Sequence, residues 1–343
     1  MKKFLKYYLL ISAVCFWLID SHAETKDLSP QQYYEQMQRK LATGWNTWDT
    51  RSALTHVLLP YGAAIDLHVI DGKGIRKNSF TIGSGLLHAG PHTYDGKYTD
   101  ISLRWNDQKL RIESSADSLE NIIRITPLEE NNPEGKIIVV LKGVWQRDVK
   151  IQVNGQQFQF RPGNLKQEIK GQAYGKWIKS ERNEITFSTQ EPVTICCGSD
   201  IEPVKAQNKL RESADRFVNN NKKQYGDDYE VYNAMQNVLS WDNIYDPTIR
   251  KVITPVSRDW NINWSSNPNY GGFVLFCWDS YFASMMFSAG NRELAYANAV
   301  EITKSITESG FVPNFYSGND YKSRDRSQPP VGSLAVWSLY KKY

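Results

Sequence analysis

Among the residues that could do chemistry, Trp278 and Asp279 stand side by side at the mouth of an apolar segment. Gly271 and Gly272 lead into it, and Trp278, Phe282, Met285 and Ala289 recur at the spacing of one helix face. A tryptophan ring covers the apolar C–H patch of a pyranose, and a carboxylate accepts from two vicinal hydroxyls, so the pair has the parts of a sugar site. The same aspartate could instead cap the helix by accepting backbone N–H bonds. Arg258 and Trp260 lie in the stretch 252–272, which reads as a long loop, and such loops inside compact domains are commonly functional. Asn314 follows Gly310-Phe311-Val312-Pro313, and Arg326 and Gln328 precede Pro329 and Pro330. The planar forks of Arg258 and Arg326 suit pairs of hydroxyls or Asp279 itself, while Asn314 and Gln328 each bring a donor and an acceptor. Trp260 is a stacking plate or a core residue. Arg326 could equally pair with Asp325 or Asp320.

Trp278-Asp279-Ser280-Tyr281-Phe282, Gly310-Phe311-Val312-Pro313-Asn314 and Arg326-Ser327-Gln328-Pro329-Pro330, in that order with short spacers, resemble the clan of inverting glycosidases that includes trehalase and glycoside hydrolase family 63. The bacterial mannosylglycerate-hydrolase-like and α-glucosidase branch is the nearest look-alike. The resemblance covers roughly residues 252–343, with weaker echoes in Gly44-Trp45-Asn46-Thr47-Trp48 and His56-Val57-Leu58-Leu59-Pro60. It implies a multi-domain chain, an all-β sandwich followed by an all-α (α/α)6 toroid, acting without cofactor on an α-linked di- or oligosaccharide. It assigns Arg258, Trp278, Asp279, Asn314, Arg326 and Gln328 to substrate binding, and Trp260 joins them as a candidate stacking plate.

An inverting glycosidase needs a protonated carboxyl on one face of the sugar and an ionised one, across a water, on the other. In the clan these carboxylates follow the Arg-Ser-Gln-Pro-Pro segment, where this sequence stops. The expectation is therefore the first part of a toroid, inactive alone, whose partner would be the remaining half. A non-catalytic carbohydrate-binding protein or an inactive fragment is the alternative. A site unlike the clan's, with Asp279 as acid and Asp320 or Asp325 as base, is disfavoured because flanking arginines would lower the aspartate's pKa.

Composition narrows the classes. Lys2, Lys3 and Lys6 before the apolar run 9–19, then Ser21-His22-Ala23, read as a cleavable export signal of residues 1–23, with a lipid anchor at Cys15 or an uncleaved signal anchor as the alternatives; the expectation is a periplasmic or secreted protein. Removing those three lysines and Asp20 lowers the formal charge from +4 to +2, no footprint for nucleic acid or an anionic membrane. Of four cysteines, Cys196, Cys197 and Cys277 stay in the mature chain, an odd number without the spacing of a disulfide framework or a zinc site, and read as small buried hydrophobes.

Two kinds of element must position the candidate site. Residues 30–43 read as a short polar helix. From Ala63 the period is two: Ile65, Leu67 and Val69; Ile101, Leu103 and Trp105; Val149, Ile151 and Val153 running into Asn154-Gly155, a strong hairpin signal. His88 and His92, around Gly90-Pro91, read as solvated loop residues, and Asp100, Asp107 and Glu113 as solvated faces. Near residue 205 the period becomes 3.6. Leu210, Ala214 and Phe217, then Val231, Met235 and Val238, then Ala295, Ala299, Ile302 and Ile306 form stripes. Asn219 to Asn221 read as a helix end, Asn291 as an N-cap, Gly310 as a C-cap. The expected domains are a sandwich over 24–204 and helices over 205–343, about five in number. The Ala295–Ile306 stripe would lie exposed.

Overall fold

The computed structural model describes residues 28–81, 84–128, 131–258, 273–317 and 321–343. The export signal, Trp260 and Asp320 lie outside these residues. Contacts divide the chain into two compact units, Met1–Met37 and Gln38–Tyr343. Helix α1 (Pro30–Leu41) straddles the limit, and the sheets and remaining helices lie in the second unit.

The strands run in chain order as β1 (Gly44–Asn46), β2 (Thr55–Leu59), β3 (Ala63–Ile70), β4 (Arg76–Lys77), β5 (Leu86–His92), β6 (Thr99–Trp105), β7 (Gln108–Asp117), β8 (Glu120–Pro127), β9 (Lys136–Gly143), β10 (Val149–Asn154), β11 (Gln157–Pro162), β12 (Ile169–Tyr174), β13 (Trp177–Glu181), β14 (Glu184–Ser188) and β15 (Val193–Cys197). They build two antiparallel sheets. One has the order β1-β2-β3-β9-β14-β13 with β4 on β3, the other β10-β11-β12-β15-β8-β7-β6-β5. The alternating residues Ile65, Leu67 and Val69 meet Ile112, Ile125, Phe160 and Ile195 in one core between the sheets, a β-sandwich-like pair. Asn154 pairs with Gln157, so Gly155, at φ 60°, and Gln156 make the two-residue turn between β10 and β11.

Strand β3 is buried on both faces. Its odd residues enter the sandwich core. On the other face Ala64 joins Val57, Leu59, Val144 and Trp145 in a second core with residues of the later helices. Those helices are α2 (Pro203–Tyr225), α3 (Tyr229–Asp242), α4 (Cys277–Phe287), α5 (Arg292–Lys304) and α6 (Gly332–Lys342). The change of period thus falls between Cys197 and Pro203. Among the described residues no helix is long and apolar enough to cross a membrane.

Several helix faces differ from the sequence expectation. Ala295, Ala299 and Ile302 are buried, the first two in the core shared with the sandwich, and only Ile306 is exposed. The stripe Val231–Val238 faces outward, because α3 buries Gln236, Leu239, Ser240 and Trp241 instead. Polar side chains with partners, Gln236 and Ser240, share that inner face with Leu239 and Trp241. Helix α2 runs past Asn219–Asn221 to Tyr225. Asn291 does cap α5, its side chain accepting from Leu294 N. Gly310, at φ 86°, sits in a turn beyond the end of α5 and caps no helix. The stretch after Val252 is not wholly a loop, since Lys251–Ile253 pairs with Ile244–Asp246 as a short hairpin.

Candidate functional site at the mouth of helix α4

Three of the sequence motifs meet at the start of α4. Strand Val274–Phe276 pairs with Phe315–Ser317, bringing the Asn314 segment alongside the chain that enters the helix. Cys277 N donates to Asn314 O at 3.0 Å, and Asn314 N donates to Arg326 O at 3.0 Å. Gln328 closes the arrangement. Its Oε1 accepts from Trp278 N at 2.8 Å, satisfying one of the helix's unpaired N-terminal donors from fifty residues away. Ser327 and the Gln328 backbone also hydrogen-bond the Cys277 thiol, whose pKa is nonetheless raised, chiefly by burial.

Asp279 is therefore not the cap. It occupies the third position of the first turn, and Phe276, the flanking residue, gives no side-chain bond. Among the described residues no side chain donates a hydrogen bond to its carboxylate, which stands half-buried where the helix dipole favours a negative charge. Trp278 is 38% exposed and Phe282 42%, their rings 6.2 Å apart. The interior is filled by another face of the helix, Cys277, Ser280, Tyr281, Ala283, Ser284 and Phe287, which leaves Trp278 and Phe282 at the surface.

The arginines go elsewhere. Arg326 binds both oxygens of Asp325, at 2.8 and 3.1 Å, in an exposed pair. Such a pair contributes little stability, and its guanidinium stays in reach of solvent. Arg258 is buried, and its guanidinium donates to Thr47 O at 2.5 Å. The structure thus brings together the backbone of Trp278, Asn314, Arg326 and Gln328. The bonds it gives to Arg258 and Arg326 do not run to Asp279.

Arg258 belongs to a second polar cluster, which the sequence reading missed. His92 is 2% exposed, not solvated, and is the last residue of β5, not part of a loop. Its Nε2 lies 2.7 Å from Thr47 Oγ1 and its Nδ1 2.6 Å from Ser240 Oγ, with the Trp241 ring 4.4 Å away. Burial, then the Arg258 charge and His56, hold the His92 pKa well below its ordinary value. His56 is buried as well. Its Nδ1–H donates to Leu54 O at 3.3 Å, and Nε2 has no partner among the described residues, the arrangement of a neutral ring. Burial pushes its pKa down to about 4.

A third cluster lies on β3. Asp66 accepts from Thr55 Oγ1 at 2.8 Å, His68 Nε2 at 3.0 Å and Lys142 Nζ at 2.5 Å. Burial pushes the Asp66 carboxyl up, but the His68 and Lys142 bonds outweigh it and hold its pKa below the usual range. Asp100 and Glu113 are not merely solvated either, as both pair with Arg111 and are four-fifths buried. Alternation placed these residues on strands; only cross-strand pairing supplied their partners.

No protein-family model matches the chain, and no curated protein matches it. Among solved structures, a bacterial glucoamylase complexed with acarbose is similar, with a TM-score of 0.38 and 12% identity over 80% of this chain and 51% of that one. The chain thus spans about half the length of that structure.

Proposed function

We propose that the chain handles a carbohydrate at the mouth of α4, as part of an exported inverting glycosidase of the trehalase and family 63 type. The observation that carries the reading is a carboxylate, Asp279, to which no side chain among the described residues donates, beside the exposed Trp278 ring, on a helix start fixed by Gln328. A sugar stacked on Trp278 would direct two hydroxyls to Asp279. Asn314 and Gln328 set the frame, and Arg326, held by Asp325, lies within reach of the solvent side. Arg258 takes a supporting place, through Thr47. None of these residues is assigned the general acid or base. The toroid is part of the proposal, as is the preference for an α-linked di- or oligosaccharide.

The test is calorimetric titration of the purified chain with trehalose, kojibiose, nigerose and mannosylglycerate, alongside Trp278→Ala and Asp279→Asn. Saturable binding that weakens roughly tenfold or more in either variant is expected, since a hydrogen bond to a charged group contributes about 1.5–3 kcal/mol. Equal binding by wild type and both variants, or none to any sugar, would overturn the site. Sustained release of monosaccharide, abolished in Asp279→Asn, would overturn the assignment of Asp279 to binding alone.

A further inference from the structure

A cavity lies at the other end of α4 from Trp278 and Asp279, about 16 Å along the helix axis at 1.5 Å per residue. It has a volume of ≈ 250 Å³ and opens between α2, α3 and the turn that joins β5 to β6, with Gly290 and Asn291 at its edge. Its lining includes the aromatic rings of Tyr94, Tyr98, Phe217 and Tyr225; Tyr98 and Phe217 stand 6.2 Å apart, and Tyr225 is held from behind by Tyr232, stacked at 4.7 Å.

The amides lining the cavity fall into two groups. Gln236 and Asn237 are consumed by the fold. Gln236 takes the Tyr94 hydroxyl and donates to Met286 O, and Asn237 accepts from His92 N at 2.9 Å and donates to Ala89 O. The others keep capacity. Asn221 donates to Asn233 Oδ1 at 3.2 Å, which leaves the acceptor of one and the donor of the other unused among the described residues. Asn220 has no side-chain partner among the described residues, and there Arg216 has no carboxylate partner, whereas the neighbouring Lys97 is paired with Asp95 at 3.0 Å.

We propose that this cavity is a second ligand site, for a small acidic saccharide of about one ring. Aromatic walls take the C–H face of a sugar, carboxamides match its hydroxyls as donors and acceptors, and the planar fork of Arg216 takes the carboxylate. The site stands apart from the proposed sugar site at the start of α4 and does not need it.

The experiment is calorimetric titration of the full chain with glucuronate and, separately, glucose. Three proteins are compared: wild type, Arg216→Ala/Asn220→Ala, and Trp278→Ala/Asp279→Asn. Arg216 and Asn220 are exposed on α2 and bond to no other element among the described residues, so their variant is expected to keep the wild-type melting temperature. Saturable glucuronate binding is expected in wild type and in the α4 variant, weakened five- to tenfold or more in the α2 variant, from loss of roughly 1–3 kcal/mol. Glucose binds more weakly than glucuronate. No glucuronate binding, or binding unchanged in the α2 variant, would overturn the proposal. Binding lost in the α4 variant would assign the ligand to the mouth of α4 and overturn it too. Glucose binding equal to glucuronate would overturn the role of Arg216 as carboxylate receptor. None of these outcomes depends on whether trehalose or its isomers bind.

Discussion

Acidification should destabilise the protein through His56. The ring is 3% exposed, its Nδ1–H is committed to Leu54 O, and a proton on Nε2 would find no acceptor among the described residues. The folded pKa is about 4, against an ordinary value of 6.5, with burial as the chief cause. Because the folded pKa is depressed, the contribution is fully present above about pH 6.5, is lost as pH falls, and levels off below about pH 4. Between about pH 7 and pH 5 the unfolded ring takes up nearly one proton that the folded ring refuses. That withdraws about 2 kcal/mol of stability. Asp66, whose pKa is below the usual carboxylate range, acts only at lower pH. Urea unfolding of wild type and His56→Phe at the two pH values isolates the effect, because other titrating groups are common to both proteins. The pH-dependent loss should be about 2 kcal/mol smaller in the variant. Equal losses in the two proteins would refute the reasoning, whatever the variant's absolute stability.

Three further outcomes are expected. Gln328→Ala should cost about 1 kcal/mol as the loss of a helix cap, read as faster hydrogen exchange confined to the first turn of α4. Asp66→Ala should cost about 3–5 kcal/mol by chemical denaturation, since it leaves His68 and Lys142 without their shared buried anion; a loss under about 1 kcal/mol would show the cluster to be incidental. Cys196, Cys197 and Cys277 should not react with a thiol reagent in the native protein and should react on unfolding. All three are buried, and burial raises the Cys196 pKa to about 11.

Much of the fold was legible from local periodicity. Ile65, Leu67 and Val69 alternate because one sheet face must be apolar, and Asn154-Gly155 marks a hairpin because glycine takes φ > 0 at no steric cost. The order of strands before helices follows from the same pattern, as does Asn291 as a cap. The pairing of the Trp278, Asn314 and Gln328 segments had no such signal. It rests on bonds between residues tens of positions apart, such as Gln328 to Trp278 N. Burial of His92 was equally hidden. A histidine beside Gly90-Pro91 reads as a loop residue until Thr47 and Ser240, 45 and 148 positions away, close around it. The outward turn of Trp278 and Phe282 has the same origin. A helix with apolar residues on more than one face is compatible with several burials, and the sequence alone does not rank them. The sandwich and the neighbouring helices chose the face of Tyr281, Ser284 and Phe287, leaving the tryptophan beside Asp279 open to solvent.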